Sequence, residues 1–152
     1  MSMTYRNILV AVDGSNESML AFKRAIQVAI NNANSKLYVV HVIDTRSFAF
    51  YETYNMNMAD KASDLAIEML TSHIDMAKQA GVQQVEMILE YGAPRQIIAK
   101  ALPKVKKIDL IICGVTGKGE VERFLMGSIS EAVVRQQNVM CLSCEIYRKR
   151  GK

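Results

Sequence analysis

Residues 108–117 have the sequence Ile-Asp-Leu-Ile-Ile-Cys-Gly-Val-Thr-Gly, in which an apolar run is followed at once by two glycines. Residues 108–113 predict a buried β-strand, because the run is short, apolar and rich in β-branched side chains. Gly114 and Gly117 carry no Cβ, so the backbone that leaves the strand can turn sharply or lie against a ligand. The sequence therefore predicts a strand followed by a turn that can approach a ligand closely.

A third glycine and a helix start follow this loop. Gly127 comes after nine further residues, and residues 128–131, Ser-Ile-Ser-Glu, have the spacing of a capping box. Because the first N–H groups of a helix bind anions, the strand, loop and helix start together predict a phosphate site. The alternative is that the glycines only form tight turns. The Walker string GxxxxGK[ST] is missing from the sequence, as is GxGxxG after the first strand.

Strand and helix patterns alternate along the whole chain. With 152 residues, the length suits one domain with an ordinary core. Strands separated by helices predict a single doubly wound α/β domain over 1–152, with a five-stranded parallel sheet and helices on both faces. The predicted strands are 7–13, 37–43, 84–89, 108–113 and 139–146, and the predicted helices are 17–31, 60–80, a shorter one from Pro94, and 129–137.

The longest predicted helix, 60–80, has apolar residues that we assign to one core face. They are Leu65, Met69, Ile74 and Ala77, and Gly81 is the expected C-terminal stop. The long connection 45–58 holds two Phe and two Tyr. Aromatic side chains favour a role in covering apolar surface. Three interpretations remain open for it: a hydrophobic flap, a cover for a bound adenine, or a contact with a partner subunit.

The spacing G-x2-G-x9-G-[ST] resembles the nucleotide-binding signature of the ATP-binding branch of the universal stress protein family. Residues 7–15, Asn-Ile-Leu-Val-Ala-Val-Asp-Gly-Ser, resemble the first strand of that family and the acidic turn behind it. Residues 41–44, His-Val-Ile-Asp, resemble the end of its second strand. The resemblance implies the strand order 3-2-1-4-5. In that order Asp13 and Gly114 flank one crevice, where the strand order reverses and ligands bind.

The resemblance also implies a binding site for ATP, or for related AMP or ADP. The Val42 backbone would contact the adenine ring, and Asp13 would contact the nucleoside and a Mg or Mn ion held through the phosphates. For Asp13 the alternative is an Asx turn or helix cap, and for Lys118 it is a solvated side chain. The implied site residues are Ala11, Val12, Asp13, Val42, Cys113, Gly114, Gly117, Lys118, Gly127, Ser128, Ile129 and Ser130.

The function implied by the resemblance is that of a cytoplasmic stress-response protein that binds an adenine nucleotide as a homodimer through the last strand, 139–146. Relatives usually have a proline before that strand, whereas Asn138 stands here. No catalytic base or arginine finger is evident, so we expect slow hydrolysis or none, and we assign no catalytic residue. His41 and His73 lack the neighbours of a catalytic triad. A nucleotide-independent dimeric interaction module of the same fold remains the alternative.

Composition narrows the classes of partner. The net charge is +4 and the pI about 9.0, with much of the excess in a basic tail at 147–152 and in a lysine cluster at 104–107. A basic tail that is solvated, rather than a basic folded face, argues against nucleic acid as a partner. We expect no membrane span, because no apolar run is long enough, and no secretory signal. Three cysteines without an export signal favour a cytoplasmic protein with reduced thiols.

Overall fold

A computed structural model describes residues 4–45, 57–113 and 141–143, with the backbone alone for 57–59, 95 and 141–143. Its centre is a parallel β-sheet. The four longer strands are β1 (Asn7–Ala11), β2 (Lys36–Asp44), β3 (Val85–Gly92) and β4 (Leu110–Cys113). They lie in the order β3-β2-β1-β4. The predicted parallel α/β sheet and the first four places of its strand order are therefore confirmed.

A short fifth strand, β5 (Cys141–Ser143), pairs in parallel with β4, and Ile111 lies opposite Cys141. The other residues of the predicted strand 139–146 lie outside the described residues. So do the predicted helix 129–137, the basic tail 147–152, and residues 46–56 of the long connection.

Three helical segments connect the described strands. Helix α1 (Asn16–Asn31) begins after Ser15, whose hydroxyl accepts the N–H of Ser18. Helix α2 (Asn57–Ala80) ends at Gly81, whose φ of +109° favours glycine, as the sequence predicts. The third segment consists of α3 (Pro94–Gln96), a π-helical turn (Ile97–Ala101) and α4 (Leu102–Val105). A proline, Pro103, stands inside this segment and can donate no backbone hydrogen bond, which explains why the regular α-helical pattern is interrupted just before it.

The sheet is covered on both faces, as the sequence predicts. Side chains alternate along a strand, so Ile8 and Val10 point to one face of β1 and Leu9 to the other. Helices α1 and α2 cover the first face, where Phe22 and Leu70 are fully buried. The third helical segment covers the second face with Ile98, Ala99 and Leu102. In the described ranges no helix is both long enough and apolar enough to cross a bilayer.

One residue that we assigned to the core face of α2 is wrong. Leu65 is 66% exposed, whereas Ala66, Leu70 and Ala77 are buried and Ile74 is partly buried against the core. Ile74 comes nine positions after Leu65, which is about half a turn beyond two full turns at 3.6 residues per turn, so the two side chains cannot share a face. The other three residues predicted for this face are confirmed, since Ala77 is buried and Met69 and Ile74 pack against the core.

The start of β2 is joined to β3 by an ion pair at the amino end of the sheet. Lys36 Nζ lies 2.8 Å from a carboxylate oxygen of Glu86, and Lys106 Nζ lies 3.9 Å from the other oxygen. Both ammonium groups also stand over the Tyr38 ring, at 5.0 and 5.6 Å from its centroid. The hydrogen bond from Lys36 lowers the pKa of the Glu86 carboxyl and raises that of Lys36. The pair is partly exposed, so its contribution to stability is small.

A pH dependence of stability follows from the lowered pKa of Glu86. The pair stabilises the fold above the ordinary carboxyl pKa of 4.5, and this contribution is lost as the pH falls through the folded-state value. We expect Glu86→Gln to have a slightly lower free energy of unfolding than the wild type at neutral pH, with the difference disappearing as the pH falls below 4.5 and through the lowered pKa of Glu86. Urea unfolding over this pH range measures it. Glu68→Gln, an exposed site on α2, is the control, and a difference that does not change with pH would contradict the expectation.

Candidate functional site

The carboxyl ends of β1, β2 and β4 meet at one edge of the sheet. Val10 lies opposite Ile112 of β4, so the next residues, Ala11 and Cys113, are neighbours. On the other side Ala11 lies opposite Val40, which brings Asp13 and Val42 to the same level two residues further on. The chain leaves β1 toward β2 and returns to its other side as β4, so the strand order reverses here. Open α/β sheets bind ligands at this position.

The turn that follows β1, residues 12–15, is held by short-range hydrogen bonds. The N–H of Ser15 donates to Asp13 Oδ1 at 2.9 Å, which is an Asx turn. The N–H of Asp13 donates to Ser18 Oγ at 3.2 Å, and that hydroxyl donates to the Ser15 carbonyl at 3.1 Å. The Asx turn that the sequence offered as an alternative for Asp13 is therefore present. Asp13 nevertheless stays exposed at the edge of the sheet.

Gly14 allows this turn to form. Its φ of +84° lies in the left-handed region, where a side chain is strained. The position of a Cβ on Gly14 would be 3.6 Å from the sulfur of Met69, which is an ordinary contact, so conformation rather than space favours glycine. Met69 belongs to α2, so the turn lies close to that helix.

His41 also belongs to the site, and the sequence interpretation missed its role. Its Nδ1 lies 2.8 Å from the carbonyl oxygen of Val12, the residue that begins the turn. The backbone N–H of Val12 donates to the Val40 carbonyl at 2.9 Å. A polar residue near the end of the apolar strand 37–43 was the available signal. The sequence analysis set His41 aside because it lacks the neighbours of a catalytic triad, whereas its partner in the structure is a backbone carbonyl in the turn after β1.

Three predicted site residues face the core rather than the crevice, and one of them, Val12, is 3% exposed in the core of the first face. Val42 and Cys113 are 8% and 5% exposed, and both belong to the core beneath the third helical segment. Ala11 is partly buried against the same core. Their backbone atoms at the sheet edge are consequently the parts best placed for a ligand. This agrees with the backbone role that the resemblance implies for Val42.

The remaining predicted site residues cannot be placed. Gly114 directly follows Cys113 in the chain but lies outside the described residues. The same is true of Gly117, Lys118, Gly127, Ser128, Ile129 and Ser130.

Other polar groups lie apart from this edge or offer no metal site. His73 is 4% exposed within the core of the first face, with its ring 4.6 Å from that of Phe22. The Lys36–Glu86 pair lies at the opposite, amino end of the sheet. Among the described residues, no three His, Cys, Asp or Glu side chains are grouped to hold a metal ion. A metal at Asp13 would therefore need ligands from a bound molecule or from the rest of the chain.

Comparison with known sequences gives long matches. The model of the family described as "Universal stress protein family" matches residues 4–144. The protein SH1215 of Staphylococcus haemolyticus is 45% identical over 133 residues, which are 88% of this chain and 80% of that protein. A protein of Staphylococcus aureus strain USA300 is 46% identical over 133 residues, with the same coverage. The names of both assign them provisionally to the universal stress proteins.

Solved structures give the same fold. Universal stress protein UspA from Lactobacillus plantarum has a TM-score of 0.74 at 21% identity, over 93% of this chain and 99% of that chain. A universal stress protein in complex with cAMP has a TM-score of 0.62 at 28% identity, over 93% and 97%. The Arabidopsis thaliana protein At3g01520, with AMP bound, has a TM-score of 0.61 at 19% identity, over 91% of each chain.

The hydroxyl of Ser15 gives a test of the turn. It caps α1 by accepting the N–H of Ser18 at 3.1 Å. We expect Ser15→Ala to lower the free energy of unfolding by about 1 kcal/mol, because an N-terminal N–H loses its partner. Ser15→Thr, which keeps a hydroxyl, should recover most of this loss. Urea unfolding measures both, with Asn16→Ala as an exposed control one residue away. Equal stability of Ser15→Ala and the wild type would show that the cap contributes nothing.

Proposed function

Because the chain belongs to the universal stress protein family, we propose that it binds an adenine nucleotide, ATP or the related AMP or ADP, in the crevice between β1 and β4. One observation carries the proposal. The reversal of strand order brings Asp13, the Val42 backbone and the end of β4 to one edge of the sheet. The complexes of other family members with cAMP and with AMP support an adenine ligand.

The described residues supply the nucleoside half of the proposed site. The exposed carboxylate of Asp13 suits the ribose hydroxyls, because a carboxylate accepts hydrogen bonds from such donors. Main-chain N–H and C=O groups near Val42 suit the edge of the adenine ring. Backbone groups of Ala11, Val12 and Cys113 form the floor between the two strands. Recognition of this kind depends on strand placement more than on side-chain identity.

The glycine-rich segment would supply the phosphate half. Gly114 and Gly117 would permit a close backbone approach to the nucleotide, and Gly127 would do the same before the predicted helix. The N–H groups of Ser128, Ile129 and Ser130 would bind phosphate oxygens at the helix N-terminus.

Two cations would balance the phosphate charge. The ammonium group of Lys118 is one source of positive charge within the glycine segment. A Mg or Mn ion would be held chiefly by the phosphates, with Asp13 as a protein contact, since Mg is usually bound through one or two carboxylates and substrate phosphates.

We propose further that the sheet of each chain has five strands in the order 3-2-1-4-5. We also propose that the protein is cytoplasmic and that two copies form a homodimer through the last strand. The support is the position of β5 at the end of the sheet, because an edge strand presents backbone groups that a second copy can pair with. Hydrolysis of ATP should be slow or absent, because binding without a catalytic base or arginine finger gives little stabilisation of the transition state.

Calorimetric titration tests nucleotide binding. The purified protein is titrated with ATP, ADP, AMP and cAMP, each with and without magnesium, and any nucleotide released by denaturation is identified. Saturable binding of at least one adenine nucleotide is the expected result. A folded, nucleotide-free protein that binds none of the four would refute the proposal and favour the nucleotide-independent interaction module.

Substitutions at the glycines test the placement of the site. We expect Gly114→Val and Gly127→Val each to weaken binding at least tenfold, because a β-branched side chain would stand where the nucleotide approaches the backbone. Gly119→Val, in the same segment but outside the glycine spacing, is the matched control. Asp13→Asn should also weaken binding, with Asp75→Asn on α2 as its control. Full affinity in both glycine variants would show that the nucleotide binds elsewhere.

A further inference from the structure

We propose that His41 is a positioning residue of the nucleotide site, and that its imidazole sets the orientation of the peptide unit that carries Asp13. The inference rests on the proposed function, because it assigns to His41 an effect on nucleotide affinity. It adds a residue from β2 whose side chain acts on the turn after β1 and not on the nucleotide itself.

The hydrogen bond fixes the proton on the imidazole ring. A carbonyl oxygen only accepts hydrogen bonds, so the contact of 2.8 Å with the Val12 carbonyl requires that Nδ1 of His41 carries a proton. In the neutral ring the other nitrogen, Nε2, then has no proton. His41 therefore acts toward the turn as a donor.

The bond holds one end of a peptide unit whose other end is held from α1. The carbonyl of Val12 and the N–H of Asp13 belong to the same planar peptide group. His41 donates to the carbonyl, and the N–H donates to Ser18 Oγ at 3.2 Å. Two side chains from different elements thus fix the plane from which Asp13 begins. Rotation of this plane would carry the Asp13 carboxylate away from its place at the sheet edge.

The ladder between the strands explains why a side chain is needed here. Strand β1 ends at Ala11, and the N–H of Val12 still donates to the Val40 carbonyl at 2.9 Å. Val12 is 3% exposed, so its carbonyl has little access to water. A buried carbonyl without a hydrogen-bond donor would destabilise the fold. The imidazole provides a partner for this carbonyl at the point where the chain turns away from the strand.

The same contact joins the two halves of the proposed nucleoside site. His41 immediately precedes Val42, whose backbone we assign to the adenine ring, and it bonds to the residue before Asp13, which we assign to the ribose. This hydrogen bond, together with the one from the Val12 N–H to the Val40 carbonyl, therefore holds the two groups at a fixed distance. Preorganisation of this kind raises affinity by reducing the ordering that binding requires.

Two substitutions at His41 separate hydrogen bonding from packing. The carboxamide nitrogen of Asn can take the place of Nδ1, so His41→Asn keeps a donor toward the Val12 carbonyl, whereas His41→Leu removes it. Calorimetry with AMP alone and with magnesium ATP measures the affinities. We expect His41→Leu to weaken binding about tenfold, as for the loss of one hydrogen bond, and His41→Asn to stay within about threefold of the wild type. His73→Leu, which removes a histidine from the core away from the site, should leave affinity unchanged.

A double-mutant cycle with Asp13→Asn tests the route of the effect. If His41 acts by placing Asp13, His41→Leu costs little further affinity once Asp13 is replaced, because interacting residues are not additive. Hydrogen exchange without nucleotide gives an independent readout. In His41→Leu the amides of Asp13 and Ser15 should exchange faster, while the amides of β1 should keep their protection.

The outcomes separate this inference from the proposed function. Wild-type protein that binds neither AMP nor magnesium ATP refutes both. Wild-type binding together with unchanged affinity in His41→Leu overturns the role of His41 and leaves the proposed function standing. Losses from His41→Leu and Asp13→Asn that multiply in the double variant also overturn it, since they would show that the imidazole acts independently of Asp13.

Discussion

The pairing of β1 with strands on both sides is the constraint from which the rest of the structure follows. Ile8, Leu9 and Val10 are completely buried, so their backbone groups must find partners within the protein. They find them in β2 on one side and β4 on the other. Strand β2 is the next strand after β1 in the chain, whereas β4 comes after β3. Helices α1 and α2, which lead to β2 and β3, cover one face of the sheet, and the helical segment that leads back to β4 covers the other. The reversal of strand order at β1 is a direct consequence, and it creates the crevice at its carboxyl end.

The candidate site lies where this pairing ends. The N–H of Val12 makes the last backbone bond to β2, and from the Val12 carbonyl onward the polar groups of the turn bond to side chains. Ser18 and His41 bind the two ends of one peptide group, and Ser15 closes the turn through Asp13. A turn that is satisfied in this way has a fixed shape before any ligand arrives. Its exposed part is a carboxylate, which suits a hydroxyl-bearing ligand.

The two ends of the sheet differ in character. At the amino end Lys36, Lys106 and Glu86 form a partly exposed charge cluster beside Tyr38, and this cluster lowers the pKa of Glu86 and raises that of Lys36. At the carboxyl end the buried Val42 and Cys113 leave their backbone groups as the contacts nearest the crevice. A site built from backbone groups is well suited to binding and orientation. In the described part of this edge, the side chains that could exchange a proton include those of Asp13 and His41.

The sequence by itself determined the types of the described strands and helices and the parallel sheet, because apolar periodicity and glycine positions are local signals. It placed the end of β1 two residues too late and the end of β3 three residues too early, because pairing with neighbouring strands decides where a strand ends. It also indicated the Asx turn at Asp13. The buried face of α2 was misjudged at Leu65, since apolar residues were grouped without following their angle around the helix. The tertiary structure alone decided that the His41 imidazole reaches the Val12 carbonyl. That contact joins residues 29 positions apart, and it exists only because parallel pairing sets β1 and β2 in one particular register.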